Sequence, residues 1–245
     1  KTLCGPRGAV ILSTDEETAD RLDFGVFPCE QGGPHLHSIA GKAVAFRLAA
    51  TPRFRALQAR VAENAAALAR ELGAEGITIA YGGTETHLML IDLSPFSDPP
   101  RVRLSGEIVS RVLDLCGITL NKNTIAGDNN PVSPMGLRLG TTWVSQRGMT
   151  PGDMPRLASW IGTIVKGMRP FSYLGSRSPV WRAKMEQGEL ARVRREVDAF
   201  AAALPADPRP GRRTGYPAFP EEIPAGGWTV AEIRGERAGL FLDEA

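Results

Sequence analysis

The sequence predicts an α/β domain followed by a smaller α+β domain. Apolar residues recur at three- and four-residue spacing through an Ala-rich stretch from His35 to about Leu72, the mark of amphipathic helix. After Gly73 the period changes, and Ile77–Tyr81 and His87–Leu93 read as strands joined across Gly82 and Gly83. Further helical stretches then flank short strands as far as Leu204, which places helices on both sides of strands.

Taken in order, Ala9–Ser13 reads as a short buried strand. Thr14-Asp15-Glu16-Glu17 follows as a helix start, with an N-cap hydroxyl and acids in the first turn. A loop rich in Pro and Gly occupies 27–34. Pro52 divides the long helical stretch in two, because it lacks an amide proton and clashes with the preceding turn; Thr51 is placed to cap the second helix. Residues 94–103 form a Pro-rich loop, Ser105–Leu115 a helix and Gly117–Leu120 a strand. Residues 121–135, full of Asn, Asp, Gly and Pro, read as mostly loop. Leu137–Gly140 is a short strand presenting one arginine, Arg138. Thr150-Pro151-Gly152-Asp153 opens a helix to about Met168, and Glu186 to about Leu204 is the last clear helix. Six prolines between 205 and 227 mark a linker, and 228–245 is too short to make a domain.

Composition narrows the function. With 245 residues, 42% of them hydrophobic and 23% charged, the chain is of ordinary globular type and not a mainly disordered one. Its 29 basic and 27 acidic side chains leave a net charge of +2, which argues against a dedicated nucleic-acid binder. No run approaches the ~18 apolar residues of a membrane span, so no membrane association is expected. Cys4, Cys29 and Cys116 lie far apart and odd in number, as reduced thiols of a cytoplasmic protein do. The histidines show no ligand spacing with them, so no metal site is expected. The first residue is Lys1 rather than Met, which reads as a chain processed, cloned as a piece or incomplete at its start.

Three places could carry chemistry. Lys1 precedes a small-residue turn, Cys4-Gly5-Pro6-Arg7-Gly8, and can present its amine to a carbonyl cofactor. Gln31-Gly32-Gly33-Pro34 opens a helix, where glycine amides suit a phosphate. Arg138 lies in its strand between glycines, where a guanidinium can take a carboxylate in a fork.

Six blocks together resemble one family. They are Lys1-Thr-Leu-Cys-Gly-Pro-Arg-Gly8; Val26-Phe-Pro28 with Gln31-Gly-Gly-Pro34 and His37; Ile39-Ala-Gly-Lys-Ala-Val-Ala-Phe46; Gly82-Gly-Thr-Glu-Thr-His87; Asn121-Lys-Asn-Thr124; and Gly136-Leu-Arg-Leu-Gly-Thr141. In that order and spacing, across residues 1–204, they resemble serine hydroxymethyltransferase.

The resemblance implies a fold-type-I enzyme that uses pyridoxal 5'-phosphate to move a hydroxymethyl group between serine and glycine, with tetrahydrofolate as cosubstrate. It implies that Lys1 forms the Schiff base with the cofactor and that Arg7 lies near it. Gly32 and Gly33 match glycines that reach the cofactor phosphate of a neighbouring subunit, which implies a homodimer or tetramer. Arg138 matches the arginine on the amino-acid carboxylate, and Asn123 an asparagine near the folate pterin. It also implies a division into a C-terminal part of the large cofactor-binding domain at 1–50 and the small domain at 51–204. The family carries about half its chain before the Schiff-base lysine, so the chain reads as the C-terminal portion of a longer enzyme or one half of a split one, with apolar surface left exposed.

Some positions depart from the family. Ala9 stands where a second Gly is usual, 125–135 differs from the usual loop near folate, and Thr142-Trp143 replaces Pro-Ala. These changes fall on the one-carbon side and leave the amino-acid side intact. Two other readings therefore stay open: a folate-independent aldolase or transaldolase, and a catalytically incomplete piece acting only in association. Gly82 and Gly83 read as a turn, and His87 and Asp92 as flanks of a strand. The three cysteines read as bystanders, and Trp143, Trp160 and Trp181 as packing residues. Residues 228–242 are similar to the opening of aminomethyltransferase-like domains and read equally as an irregular extension.

Overall fold

The computed structural model describes residues 2–97, 102–129, 131–174 and 179–204. They fall into two compact units, one ending at Arg55 and the other starting at Ala56. The expected linker and tail at 205–245 lie outside the described residues.

The first unit begins with irregular chain. Ala9–Ser13, expected as a buried strand, is exposed and not in a strand, with Leu12 85% accessible. The apolar run is present, but no described strand pairs with it, and an unpaired strand leaves its backbone groups to water. Helix α1 (Glu16–Phe24) starts as expected, although its N-cap is the Asp15 carboxylate, which accepts from the Thr18 amide at 2.8 Å, and not a hydroxyl. Thr18, through its side chain first and its amide second, holds the Asp15 carboxyl below the usual carboxylate range. A wide turn, Gly25–Glu30, broken by extended Phe27, leads to helix α2 (Leu36–Ala49). Helix α3 (Pro52–Ala74) starts at the expected proline, and Thr51 Oγ1 accepts from the Phe54 amide at 3.2 Å.

The second unit is a four-stranded antiparallel sheet, order β1-β2-β4-β3, covered by helices. Its strands are β1 (Thr78–Ile79), β2 (Leu88–Asp92), β3 (Asn121–Asn123) and β4 (Gly136–Gly140). Helix α4 (Gly106–Leu115) has Ser105 as its N-cap, and α5 (Thr142–Gln146) follows β4 almost directly. Helix α6 (Met154–Gly167) begins behind a capping box formed by Thr150 and Asp153, and α7 (Gln187–Ala203) is last. A separate antiparallel pair, β5 (Arg169–Leu174) with β6 (Pro179–Lys184), was not evident in the sequence.

One core holds this unit together. Leu68 and Leu72 of α3, Val109 and Leu113 of α4, and Ile161, Ile164 and Val165 of α6 cover one sheet face. That face supplies Met89, Ile91, Leu137 and Leu139, at every second position of β2 and β4.

The strand expected at Gly117–Leu120 forms later, at Asn121–Asn123. Gly117 is left-handed, at φ 81°, and ends α4, and Leu120 is buried before pairing starts. A polar edge strand carries no apolar alternation to announce it.

Candidate functional site

The alternation that buries Leu137 and Leu139 turns Arg138 to the other sheet face. Arg138 lies across from Leu90 of β2 and from Asn121 of β3. Its guanidinium forms no hydrogen bond or ion pair with any described residue. Five N–H donors fixed in one plane are therefore unspent on a half-open face. Lys122, one residue along β3, differs: its Nζ meets Glu107 Oε2 at 2.7 Å and the Val132 carbonyl at 3.0 Å. Lys122 first, then Arg111, holds the Glu107 carboxyl below its ordinary range. Of these neighbouring cations, Lys122 on the helix side is paired with Glu107, and Arg138 is paired with no described residue.

Asn123 stands across from Gly136 and sends Nδ2 to the Thr124 carbonyl at 2.7 Å, which leaves its oxygen to accept. The following loop is closed by Asp128, whose Oδ2 accepts from the Ile125 and Met135 amides, both at 3.0 Å. Sequence reasoning missed this residue; an Asp inside a Gly/Asn/Pro loop is a signal for such a closure. Asp92 ends β2 and accepts from the Ser94 amide at 2.7 Å, a structural use that matches its expected place beside a strand. Trp143, expected to pack, is 50% exposed on α5, whereas Trp160 packs as expected and donates Nε1–H to Glu196 at 2.8 Å. The side chain of Trp181 lies outside the described residues.

In the first unit, Lys1 lies outside the described residues. The segment after it lies against α2: a Cβ on Gly5 would meet the Ala45 Cβ at 2.8 Å, and one on Gly41 the Pro6 Cγ at 3.1 Å. Segment and helix enclose a hollow of about 160 Å³, which Lys42 lines while its Nζ donates to the Ala9 carbonyl at 3.3 Å. Lys42 is a second cation here that sequence reasoning left unremarked. Arg7 is exposed and without a partner among the described residues.

Gly32 and Gly33 do not form the expected helix N-terminus. The N-cap of α2 is His35, because Pro34 keeps the residue before it extended. Both glycines are exposed, their amides have no partner among the described residues, and a Cβ on either would meet nothing within 4 Å.

These unspent groups test the expected cofactor. Two open glycine amides and the Arg7 guanidinium are donors, as a phosphate needs, and Arg138 is a donor fork, as an amino-acid carboxylate needs. The donor set of each unit therefore fits pyridoxal phosphate and an amino acid. Among the described residues no group of His, Cys, Asp and Glu could hold a metal ion, and no helix is long and apolar enough to cross a membrane.

Comparison with known proteins bears on the same residues. A family model described as serine hydroxymethyltransferase matches residues 1–161. A serine hydroxymethyltransferase of Phenylobacterium zucineum is 45% identical over 168 residues, covering 67% of this chain and 37% of the relative. One of Acidothermus cellulolyticus is 46% identical over 165 residues, with the same two shares. Serine hydroxymethyltransferase 2 of Salmonella typhi is 43% identical over 166 residues, covering 67% of this chain and 38% of the relative. The chain thus spans somewhat over a third of the length of the curated relatives it matches.

Proposed function

The chain belongs to the serine hydroxymethyltransferase family, and from that premise we propose that it serves the interconversion of serine and glycine with tetrahydrofolate. The observation that carries the proposal is Arg138. An arginine with no partner among the described residues, on the open face of a sheet whose other face is fully packed, is placed to receive a carboxylate. A two-point fork fixes the amino acid's orientation as well as its affinity. It thereby sets which bond at Cα is held for cleavage.

The remaining roles follow the motif positions. Lys1 is the residue that would hold the cofactor through its aldehyde group. The amides of Gly32 and Gly33 hold the phosphate, in a neighbouring subunit's site, so the working form is a homodimer or tetramer. Arg7 supports the cofactor's negative charge. Asn123 meets the folate pterin through its free oxygen. When bound, pyridoxal phosphate supplies an electron sink for charge developing at the amino acid's Cα. The architecture in this reading is fold type I, with 1–50 belonging to the cofactor-binding domain and 51–204 to the small domain, in a cytoplasmic enzyme.

The test uses the chain completed with the part of the Phenylobacterium relative that lies outside the match. Serine cleavage that requires both pyridoxal phosphate and tetrahydrofolate is the expected result. Cleavage at the same rate without tetrahydrofolate would make the protein an aldolase of this fold. Failure to bind the cofactor would remove the proposal altogether.

A further inference from the structure

We propose that Thr141 is a positioning residue for Arg138, with Asn64 holding the far end of the same turn; the functional meaning rests on the reading of Arg138 given above.

Among the described residues of the second unit, most of the buried polar side chains lie in one seam. The buried polar side chains among the described residues are Asn64, Ser105, Thr141, Ser145 and Gln146. All but Ser105 lie on α3 or in the segment that follows β4. Thr141 is fully buried, and its Oγ1 donates to the Val61 carbonyl at 2.7 Å. Its amide donates to the His87 carbonyl at 3.0 Å, which extends the β2–β4 ladder one step beyond Leu88 and Gly140. About one helical turn along α3 from Val61, Asn64 sends Nδ2 to Ser145 Oγ at 2.8 Å and to the Met149 carbonyl at 2.9 Å. Both ends of segment 141–149 are thus fastened to α3.

These bonds do what apolar packing there does not. Alternation of Leu137 and Leu139 with Arg138 decides which face of β4 is buried. A slip of two residues keeps that alternation, so alternation alone leaves the position of Arg138 along the strand open. The hydroxyl of Thr141 opposes that slip, because moving it away from the Val61 carbonyl forfeits a buried hydrogen bond. The opposite end of β4 is fixed sterically: a Cβ on Gly106 would collide with the Gly136 carbonyl oxygen. Arg138 itself is held by no side-chain bond to a described residue, so the strand's register is what aims it.

The test compares Thr141→Val, which keeps the shape and removes the hydroxyl, with Thr141→Ser, which keeps the hydroxyl. In the 245-residue chain the readout is the NMR signal of the Arg138 side-chain N–H and the amide exchange of 136–141. The expected result is a shifted or doubled Arg138 signal and faster exchange in T141V, both reversed in T141S. In the completed protein, T141V is expected to raise the KM for serine about two- to tenfold, the range set by one hydrogen bond, with kcat and cofactor affinity little changed. Asn64→Leu is expected to act in the same direction. An Arg138 signal and a serine KM unchanged in T141V would overturn the proposal, as would an equal loss of cofactor affinity. Should the wild-type completed protein cleave no serine, the functional reading fails, while the Arg138 signal still decides whether Thr141 positions it.

Discussion

In residues 56–204 most of the described large apolar side chains are buried or partly buried; in residues 2–55 most are exposed. The second unit buries Leu68, Leu72, Ile91, Leu104, Leu113, Leu137, Ile161 and Ile164 almost completely. Among its described hydrophobic residues the first buries only Ala45 and Phe54, and it exposes Val10, Ile11, Leu12, Phe24, Phe27, Leu36 and Ile39. Both units are rich in helix, so helix content does not separate them. A sheet does: β2 and β4 give the second unit a flat apolar face for α3, α4 and α6 to cover, and the described first unit has none. The arginine proposed for the amino acid lies in the unit whose described residues form a core, and the glycines proposed for the phosphate lie in residues 2–55, where few apolar side chains are buried.

The largest effect that would break this comparison is a core truncation. Leu137→Ala, beside Arg138 but on the packed face, is expected to cost about 2–5 kcal/mol in urea unfolding. Leu12→Ala in the first unit is expected to stay within about 0.5 kcal/mol. Similar losses from the two would show that the first unit has a core of its own. Next in size is Gly106→Ala, which sets a methyl group against the Gly136 carbonyl and is expected to lower stability by about 1–3 kcal/mol.

A smaller effect concerns acid. Glu196 accepts from Trp160 and from Arg192, and Glu189 from Arg192, which holds both carboxyls below their ordinary values. The stability such a lowered group adds is present above its unfolded value, about 4.3, and is lost as pH falls through the lowered folded value. Thermal melting of the second unit is therefore expected to fall below about pH 4, and Glu196→Gln to flatten that fall. The smallest contrast is chemical. Burial pushes the Cys116 thiol up, whereas Cys4 and Cys29 are exposed. A thiol-alkylating reagent at neutral pH is expected to label the latter two first.

Much of the second unit was legible in the sequence, for reasons the structure makes plain. Pro52 divides α2 from α3 because its ring forbids continuation. Arg138 lies on a strand between buried leucines because two-residue alternation is a strong signal. Asn121–Asn123 escaped because an edge strand of polar residues shows no period, and its pairing is supplied from Gly136–Arg138. The antiparallel pair Arg169–Leu174 and Pro179–Lys184 escaped similarly, since its strands pair with each other and not with the main sheet. Asn64 escaped because one polar residue in an Ala-rich helix resembles a solvent-facing position; its burial is decided by Ser145 and Met149, about eighty residues away. In the first unit the apolar run at Ala9–Ser13 reads as a buried strand but is exposed and in no strand, because composition alone supplies no partner and no described strand pairs with it.

The most direct test of the account is the Arg138→Ala variant of the completed protein, titrated separately with pyridoxal phosphate and with glycine. Loss of a charge-paired fork is expected to cost about 2–5 kcal/mol in amino-acid affinity, with cofactor affinity nearly unchanged. An equal loss of both, or no loss of glycine binding, would contradict the assignment of Arg138 and with it the proposed site.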